Sequence, residues 1–244
     1  MNRITTLIFG RRVFPAALLI GVLFTAVAAS DESSPSQTYT RTLYLIRHGA
    51  YDQQTPGDDH VVNGLTPLGI AQARLVAARL RGMPVTFDAL IASTLTRARE
   101  TAQVIHESLP GLTLRYDPDL CECQPESRSA KLNAAVSPQE IQASEVQLTK
   151  ALGKYFTPAH EHAERDILVC HANVIRWLVC RALAVDTKAW VDLSLAHCSL
   201  TIIQVTPQGT CRVLAVGDAG HIPPNLQTFT TGTPTELVLP AAQP

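Results

Sequence analysis

The chain has 244 residues, 46% of them hydrophobic and 17% charged, with 20 basic residues against 21 acidic ones. It is long and apolar enough to bury one sizeable core, which excludes an intrinsically disordered chain. A net charge of −1 excludes a nucleic-acid surface built on bulk charge, so any anion site must be made by a few placed cations.

The first element is N-terminal. Arg3, Arg11 and Arg12 precede the apolar run VFPAALLIGVLFTAVAA, Val13 to Ala29, and no acid occurs before Asp31. Basic residues, an apolar stretch and then Ala26, Val27 and Ala28 are the parts of a secretory signal. Residues 1–29 are therefore read as a signal peptide cut near Ala28, or as an uncleaved membrane anchor, with an organelle presequence as the third reading. The pair Arg11-Arg12 hints at twin-arginine export. The expected place is outside the cytoplasm, periplasmic or secreted, or tethered to a membrane by the N-terminal helix. Residues 30–41 have the Ser, Thr and Pro content of a linker, which sets the folded domain at 42–228 and a C-terminal tail at 229–244.

Along the domain, apolar runs suited to central strands occur at Thr42 to Ile46, Ala89 to Ala92, Ile167 to Cys170, Leu200 to Val205 and Cys211 to Val216, with a weaker one at Leu112 to Arg115. Between them lie helical patterns. Thr66-Pro67 supplies a cap and a first-turn proline, Leu68, Ala71, Leu75 and Ala78 give an apolar face, and Gly82 and Pro84 stop the helix. Further helices are predicted over Leu95 to Leu109, Ser137 to Tyr155 and Asn173 to Leu183. Strands alternating with helices imply a three-layer α/β/α sandwich around a mostly parallel sheet, with ligands bound beyond the carboxyl ends of the strands. A turn at Pro207 to Gly209 folds the last two strands into a hairpin, in which Cys211 is expected to face about Gln204. The six cysteines do not have the spacing of a disulfide scaffold, and no disulfide is expected to be required.

Three strand ends carry polar chemistry: Arg47-His48-Gly49, Ser93 to Arg97, and Cys170-His171-Ala172-Asn173. Arg47 and Arg97 are fixed forks of donors that suit phosphoryl oxygens. Cations beside His48 keep its imidazole neutral, and a neutral imidazole can attack phosphorus. Gly49 lets the chain turn there. His171 and Asn173 open a helix whose first N–H groups favour an anion. Glu122, on the loop Leu120 to Pro125, is the candidate general acid, its pKa raised by a nearby phosphate dianion. His60, His106, His160, His162, His197 and His221 are read as surface or structural residues, and no metal site is expected.

These residues resemble the histidine phosphatase superfamily, with its phosphoglycerate mutase-like fold. LIRHGAY is similar to its Arg-His-Gly motif and STLTRARETA to its second motif; Glu122 and His171 follow in the expected order. NGLTPLGIAQA, CHANVIRWLVCRAL, AWVDLSLAHCSLTIIQVTPQG and VGDAGHIPP resemble more closely the mitochondrial, membrane-anchored serine/threonine protein phosphatase subgroup. The resemblance implies a phosphomonoester hydrolase with a phosphohistidine on His48, phosphate held by Arg47, Arg97, His171 and Asn173, and Glu122 as acid and then base, with no metal or cofactor. The implied partner is a phosphorylated protein or a small phosphomonoester, not nucleic acid; a homodimer is left open. Gly49 is followed by Ala50-Tyr51-Asp52 where mutases carry Gly-Glu-Ser, which disfavours mutase activity. The alternatives are a small-molecule phosphatase or mutase and a non-catalytic scaffold that binds phosphorylated ligands.

A rival mechanism sits in CHANVIR, Cys170 to Arg176, which has the cysteine-to-arginine spacing of cysteine-dependent phosphatases. That loop normally needs glycine to wrap the phosphate. Here Val174 and Ile175 suit a helix core, so Cys170 reads as a buried strand residue.

Overall fold

The computed structural model describes residues 37–229; the expected signal or anchor at 1–29, most of the expected linker and the expected tail from residue 230 onward lie outside the described residues. Six strands form one sheet in the order β3-β2-β4-β1-β5-β6. These are β1 (Arg41–Arg47), β2 (Ala89–Ala92), β3 (Leu114–Tyr116), β4 (Glu164–Cys170), β5 (Leu200–Val205) and β6 (Cys211–Asp218). The first four run parallel, β5 runs antiparallel to β1, and β6 runs antiparallel to β5. The helices are α1 (Pro67–Arg81), α2 (Thr96–Ser108), the single turn α3 (Ala130–Asn133), α4 (Pro138–Tyr155) and α5 (Ala172–Ala182). Among the described residues no helix is long and apolar enough to cross a membrane.

Alternation along the buried strands makes the three layers. Tyr44, Ile46, Leu90, Ala92, Ile167 and Val169 point to one face, where Ala73, Val76 and Ala77 of α1 and Ala98, Ala102 and Ile105 of α2 cover them. Leu43, Leu45, Ala89, Ile91, Leu168 and Cys170 point to the other, against Leu148 and Ala151 of α4 and Val174, Ile175 and Leu178 of α5. Helix starts follow their local chemistry. Thr66 Oγ1 accepts from Gly69 N at 3.1 Å, and Ser137 and Glu140 close a reciprocal capping box at the start of α4.

Two sequence expectations need correction. Ordered structure starts before Thr42: Arg41 is already in β1, and Tyr39 pairs with Ala159 through N–H···O bonds of 2.7 and 3.0 Å, so the end of the expected linker belongs to the domain. Cys211 pairs with Val205 while Gln204 faces Arg212, a register offset by one residue because the turn spans Thr206 to Thr210, with Gly209 in the left-handed region. All six cysteines are unpaired.

One close approach positions the loop after β1. The first turn of α1 lies directly on Gly49-Ala50: a Cβ on Gly49 would be 2.6 Å from the Gly69 carbonyl oxygen, and one on Gly69 would collide with the Ala50 carbonyl oxygen. Gly69→Ala separates two opposed effects. Alanine is the better helix former by about 1 kcal/mol, whereas overpacking against backbone costs about 1–3 kcal/mol. We expect the clash to win, with net destabilisation in urea unfolding and reduced turnover; a variant as stable as the wild type would show that the contact does not constrain the loop.

Candidate active site

The carboxyl ends of β1, β2 and β4 meet at one edge of the sheet, and the start of β5 meets them because that strand runs the other way. Backbone bonds continue past the strands: His48 N to the Cys170 carbonyl at 3.0 Å, Ser93 N to Val169 O at 2.9 Å and Cys198 N to Arg47 O at 3.0 Å. This brings Arg47, His48, Arg97, Glu122, His171 and Asn173 together, as their placement in the sequence predicts.

His48 is 2% exposed. Its Nδ1 lies 2.8 Å from the Gly49 carbonyl oxygen. A carbonyl only accepts, so Nδ1 carries the proton and Nε2 presents a lone pair. Burial, then His171 and the two arginines, hold the His48 pKa well below the usual imidazole value. His171 is depressed the same way by burial and by Arg97 and Arg47. The two rings are 5.0 Å apart. His171 Nε2 is 2.7 Å from Ser93 Oγ, while its buried Nδ1 has no hydrogen-bond partner among the described residues. Such an atom suits an oxygen of a bound oxyanion.

Arg47 is 2% exposed, and its guanidinium donates to Leu195 O at 2.6 Å and to His197 Nε2 at 3.0 Å. Burial lowers its pKa to about 10, so it stays charged at neutral pH. Arg97 is held differently. Its Nη1 donates to Asp59 Oδ2 at 2.7 Å, and its guanidinium lies 4.6 Å over the Tyr51 ring. Glu122 accepts from Asn173 N at 3.3 Å, at the uncapped start of α5. Burial raises its pKa, against opposing pulls from Arg47, Arg97 and Arg176. The loop that carries Glu122 leaves β3 through Asp117, whose carboxylate accepts from Tyr155 Oη at 2.7 Å and Lys154 Nζ at 2.9 Å. The arrangement is a compact positive pocket with a neutral imidazole able to attack and one acid of raised proton affinity, which suits phosphoryl transfer through an enzyme-bound intermediate.

Several site residues escaped the sequence reading. His197, read as surface or structural, is 2% exposed, with its ring centroid 5.3 Å from that of His48; the signal was that an antiparallel strand brings its start, not its end, to the site. Tyr51 stands edge-on to His48 at 5.1 Å. Arg176 is buried on α5 with Nη1 3.4 Å from Asn173 Oδ1, and adds positive charge near Glu122. In the sequence it stands out only as the end of the cysteine-to-arginine spacing. Cys170 is fully buried, burial pushes its thiol far above the usual range, and its side chain packs with Val174 and Ile175 in the core, which leaves no thiolate for that mechanism. His60, His162 and His221 are tied to Thr94 O, Asp88 and Cys198 O respectively.

Comparison with known proteins agrees with this geometry. The profile of the histidine phosphatase superfamily (branch 1) matches residues 43–144 and 154–219. The chain is 37% identical over 198 residues to the mitochondrial serine/threonine-protein phosphatase Pgam5 of Caenorhabditis elegans, covering 79% of this chain and 68% of that one. It is 35% identical over 194 residues to the human PGAM5 protein, covering 76% and 65%. Among solved structures, a phosphoglycerate mutase from Plasmodium falciparum superposes with a TM-score of 0.54 at 25% identity, covering 76% of this chain and 95% of that one. An Escherichia coli protein described as a putative α-ribazole-5′-phosphate phosphatase gives 0.59 at 20% identity over 73% and 97%, a likeness of fold.

The Asp59–Arg97 pair sets up a measurable competition. Partial burial pushes the Asp59 carboxyl up, but the bonds from Arg97 and Asn63 outweigh it and hold the group below the usual range, so Asp59 is ionised throughout the neutral region and an incoming phosphoryl dianion meets an arginine that is already paired. An exposed-to-buried pair of this kind is worth up to about 1 kcal/mol. Asp59→Asn keeps the shape and removes the charge. We expect KM for a phosphomonoester and the inhibition constant of inorganic phosphate to fall together by about two- to fivefold; a rise in both would mean that Asp59 serves Arg97 by orienting it.

Proposed function

The chain belongs to the histidine phosphatase superfamily, and from that membership we propose that it hydrolyses phosphoserine and phosphothreonine in proteins through a phosphohistidine on His48. It is a phosphomonoester hydrolase. The observation that carries the reading is the Nε2 of a neutral, buried His48 between two buried arginines and opposite an acid of raised pKa.

The roles follow from the groups present. His48 Nε2 attacks phosphorus and the P–O bond to the leaving alcohol breaks, while Glu122, protonated, gives its proton to the departing oxygen. Glu122, now a carboxylate, takes a proton from water as the water oxygen attacks phosphorus and the P–Nε2 bond breaks, and inorganic phosphate leaves with His48 neutral again. Arg47, Arg97, His171 and the first N–H groups of α5 at Asn173 hold the equatorial oxygens. Asp59, paired with Arg97, and Asp52 and Asp58 on the same loop work against retaining an anionic product such as a phosphoglycerate for return of the phosphoryl group. The protein-substrate half rests on the names of relatives at 37% and 35% identity. We assign residues 1–29 the task of taking the domain out of the cytoplasm, as a cleaved signal or a retained anchor; the relatives named as mitochondrial give the presequence reading added support.

Two measurements test the chemistry. Quenched enzyme should carry an acid-labile, alkali-stable phosphoryl adduct that is absent in His48→Ala and present in Cys170→Ser; an adduct lost only in the serine variant would overturn the assignment. Glu122→Gln should lower kcat/KM, which reports formation of the phosphohistidine, by about 10²–10⁴-fold for a phosphoserine peptide, yet lower it far less for a nitrophenyl phosphate, whose leaving group needs no proton. Equal losses on both substrates would remove the general-acid role. Efficient interconversion of phosphoglycerates would contradict the hydrolase reading as a whole.

A further inference from the structure

We propose that Thr228, beyond the last strand, and His197 form a relay that positions Arg47, so that the segment after β6 is a working part of the catalytic pocket. The proposal rests on the phosphatase reading above and adds positioning residues to it.

The donor arithmetic fixes the direction of the relay. Arg47 Nη2 can only donate, so His197 Nε2, 3.0 Å away, must be its acceptor, and the His197 proton must sit on Nδ1. Nδ1 in turn faces two oxygens of Thr228, Oγ1 at 2.9 Å and the main-chain carbonyl at 3.1 Å, both able to accept. A second main-chain bond, His197 N to Thr228 O at 2.9 Å, holds the two residues in register. Thr228 therefore selects the tautomer in which His197 can receive the arginine. The choice is robust, because burial and then the charge of Arg47 push the His197 pKa down to about 3, and a protonated His197 would have no lone pair to offer.

The other end of the relay closes on the same catalytic loop. Thr228 Oγ1 also lies 2.9 Å from Gln72 Nε2, which donates as well to Leu226 O at 2.7 Å. Gln72, fully buried in α1, uses its Oε1 to accept from Ala50 N at 2.9 Å. A continuous path therefore leaves the loop at Arg47, runs through His197, Thr228 and Gln72, and returns to it at Ala50, with His48 and Gly49 enclosed between the two attachment points. A neutral histidine is a fitting anchor for this arginine. It satisfies a buried donor without itself bringing a negative charge, unlike the carboxylate that pairs with Arg97.

The experiment uses full-length variants with an aryl phosphate as substrate and inorganic phosphate as inhibitor and as stabiliser in thermal unfolding. His197→Leu should lower kcat/KM by about 10- to 100-fold and raise the phosphate inhibition constant in step, whereas His197→Gln, which restores an acceptor near the Nε2 position, should stay within about fivefold of the wild type. Thr228→Val should show a smaller loss of the same kind, Thr228→Ser should not, and the double variant His197→Leu/Thr228→Val should lose clearly less than the sum of the two single losses, because Thr228 acts on Arg47 through His197. A merely structural role would lower the unfolding temperature but leave KM and phosphate affinity of the folded enzyme unchanged, and that result, or additive losses in the double variant, would overturn the proposal. If His197→Leu does not fold, the Thr228 pair decides it by the same two readouts. Wild-type protein that binds phosphate in a His197-dependent way yet hydrolyses nothing would uphold the relay and sink the phosphatase reading.

Discussion

Arg47 is a full positive charge taken out of water, and the top of the sheet is built to tolerate it. Removing a guanidinium from solvent costs several kcal/mol unless its donors are met. Two of its partners, the Leu195 carbonyl and the imidazole of His197, are neutral. They accept from the guanidinium without bringing a negative charge of their own to the place where a substrate anion binds. The antiparallel course of β5 is what makes this arrangement reachable, since it delivers residues 195–199 to the end of the sheet where β1 stops. A fifth strand laid parallel beside β1 would have brought its carboxyl end here instead.

The histidines answer to the same buried charges. The rings of His171 and His197 are centred 5.0 and 5.3 Å from that of His48, and each of the three is held neutral first by loss of hydration and then by its neighbours, the arginines among them. The Gly49 carbonyl settles where the proton of His48 sits, and Thr228 settles it for His197. Glu122 is the complementary case: burial favours its protonated form while three arginines favour the anion, so it sits between two opposed pulls. A group balanced in that way can release a proton and take one back as charge on the phosphoryl group changes.

Much of the fold was legible because its central strands are buried on both faces and its helices carry caps and stops of ordinary chemistry. Ala89–Ala92 and Leu200–Val205 lie where the apolar runs put them, and α1 and α4 begin at the Thr66 and Ser137 caps. The polar residues at the ends of β1, β2 and β4 were legible for the same reason: an Arg or His that ends an apolar run has little else to do. His197 was not, because it precedes its strand and only the pairing direction of that strand places it in the pocket. Arg176 was hidden by helical periodicity, which says which face of α5 is buried but not that the buried face extends to a charged neighbour. Asp59 lay in a loop without periodicity, where only three-dimensional closure reveals that it reaches Arg97. The hairpin register failed by one residue, since strand alternation cannot count the residues absorbed in a turn or a bulge.

The reversed direction of β5 also decides where the domain can be cut or extended. Its last residue, Val205, lies opposite Arg41 at the start of β1, so the turn from Thr206 to Thr210 sits a full strand length from the histidines, about 20 Å away at the usual rise of 3.3 Å per residue. Gln208 and Gly209 are exposed there, and a Cβ on Gly209 would meet nothing within 4 Å. A reporter domain, an affinity tag or new chain termini introduced at that turn would lengthen a hairpin loop at the far end of the sheet, leaving the ends that carry the chemistry untouched.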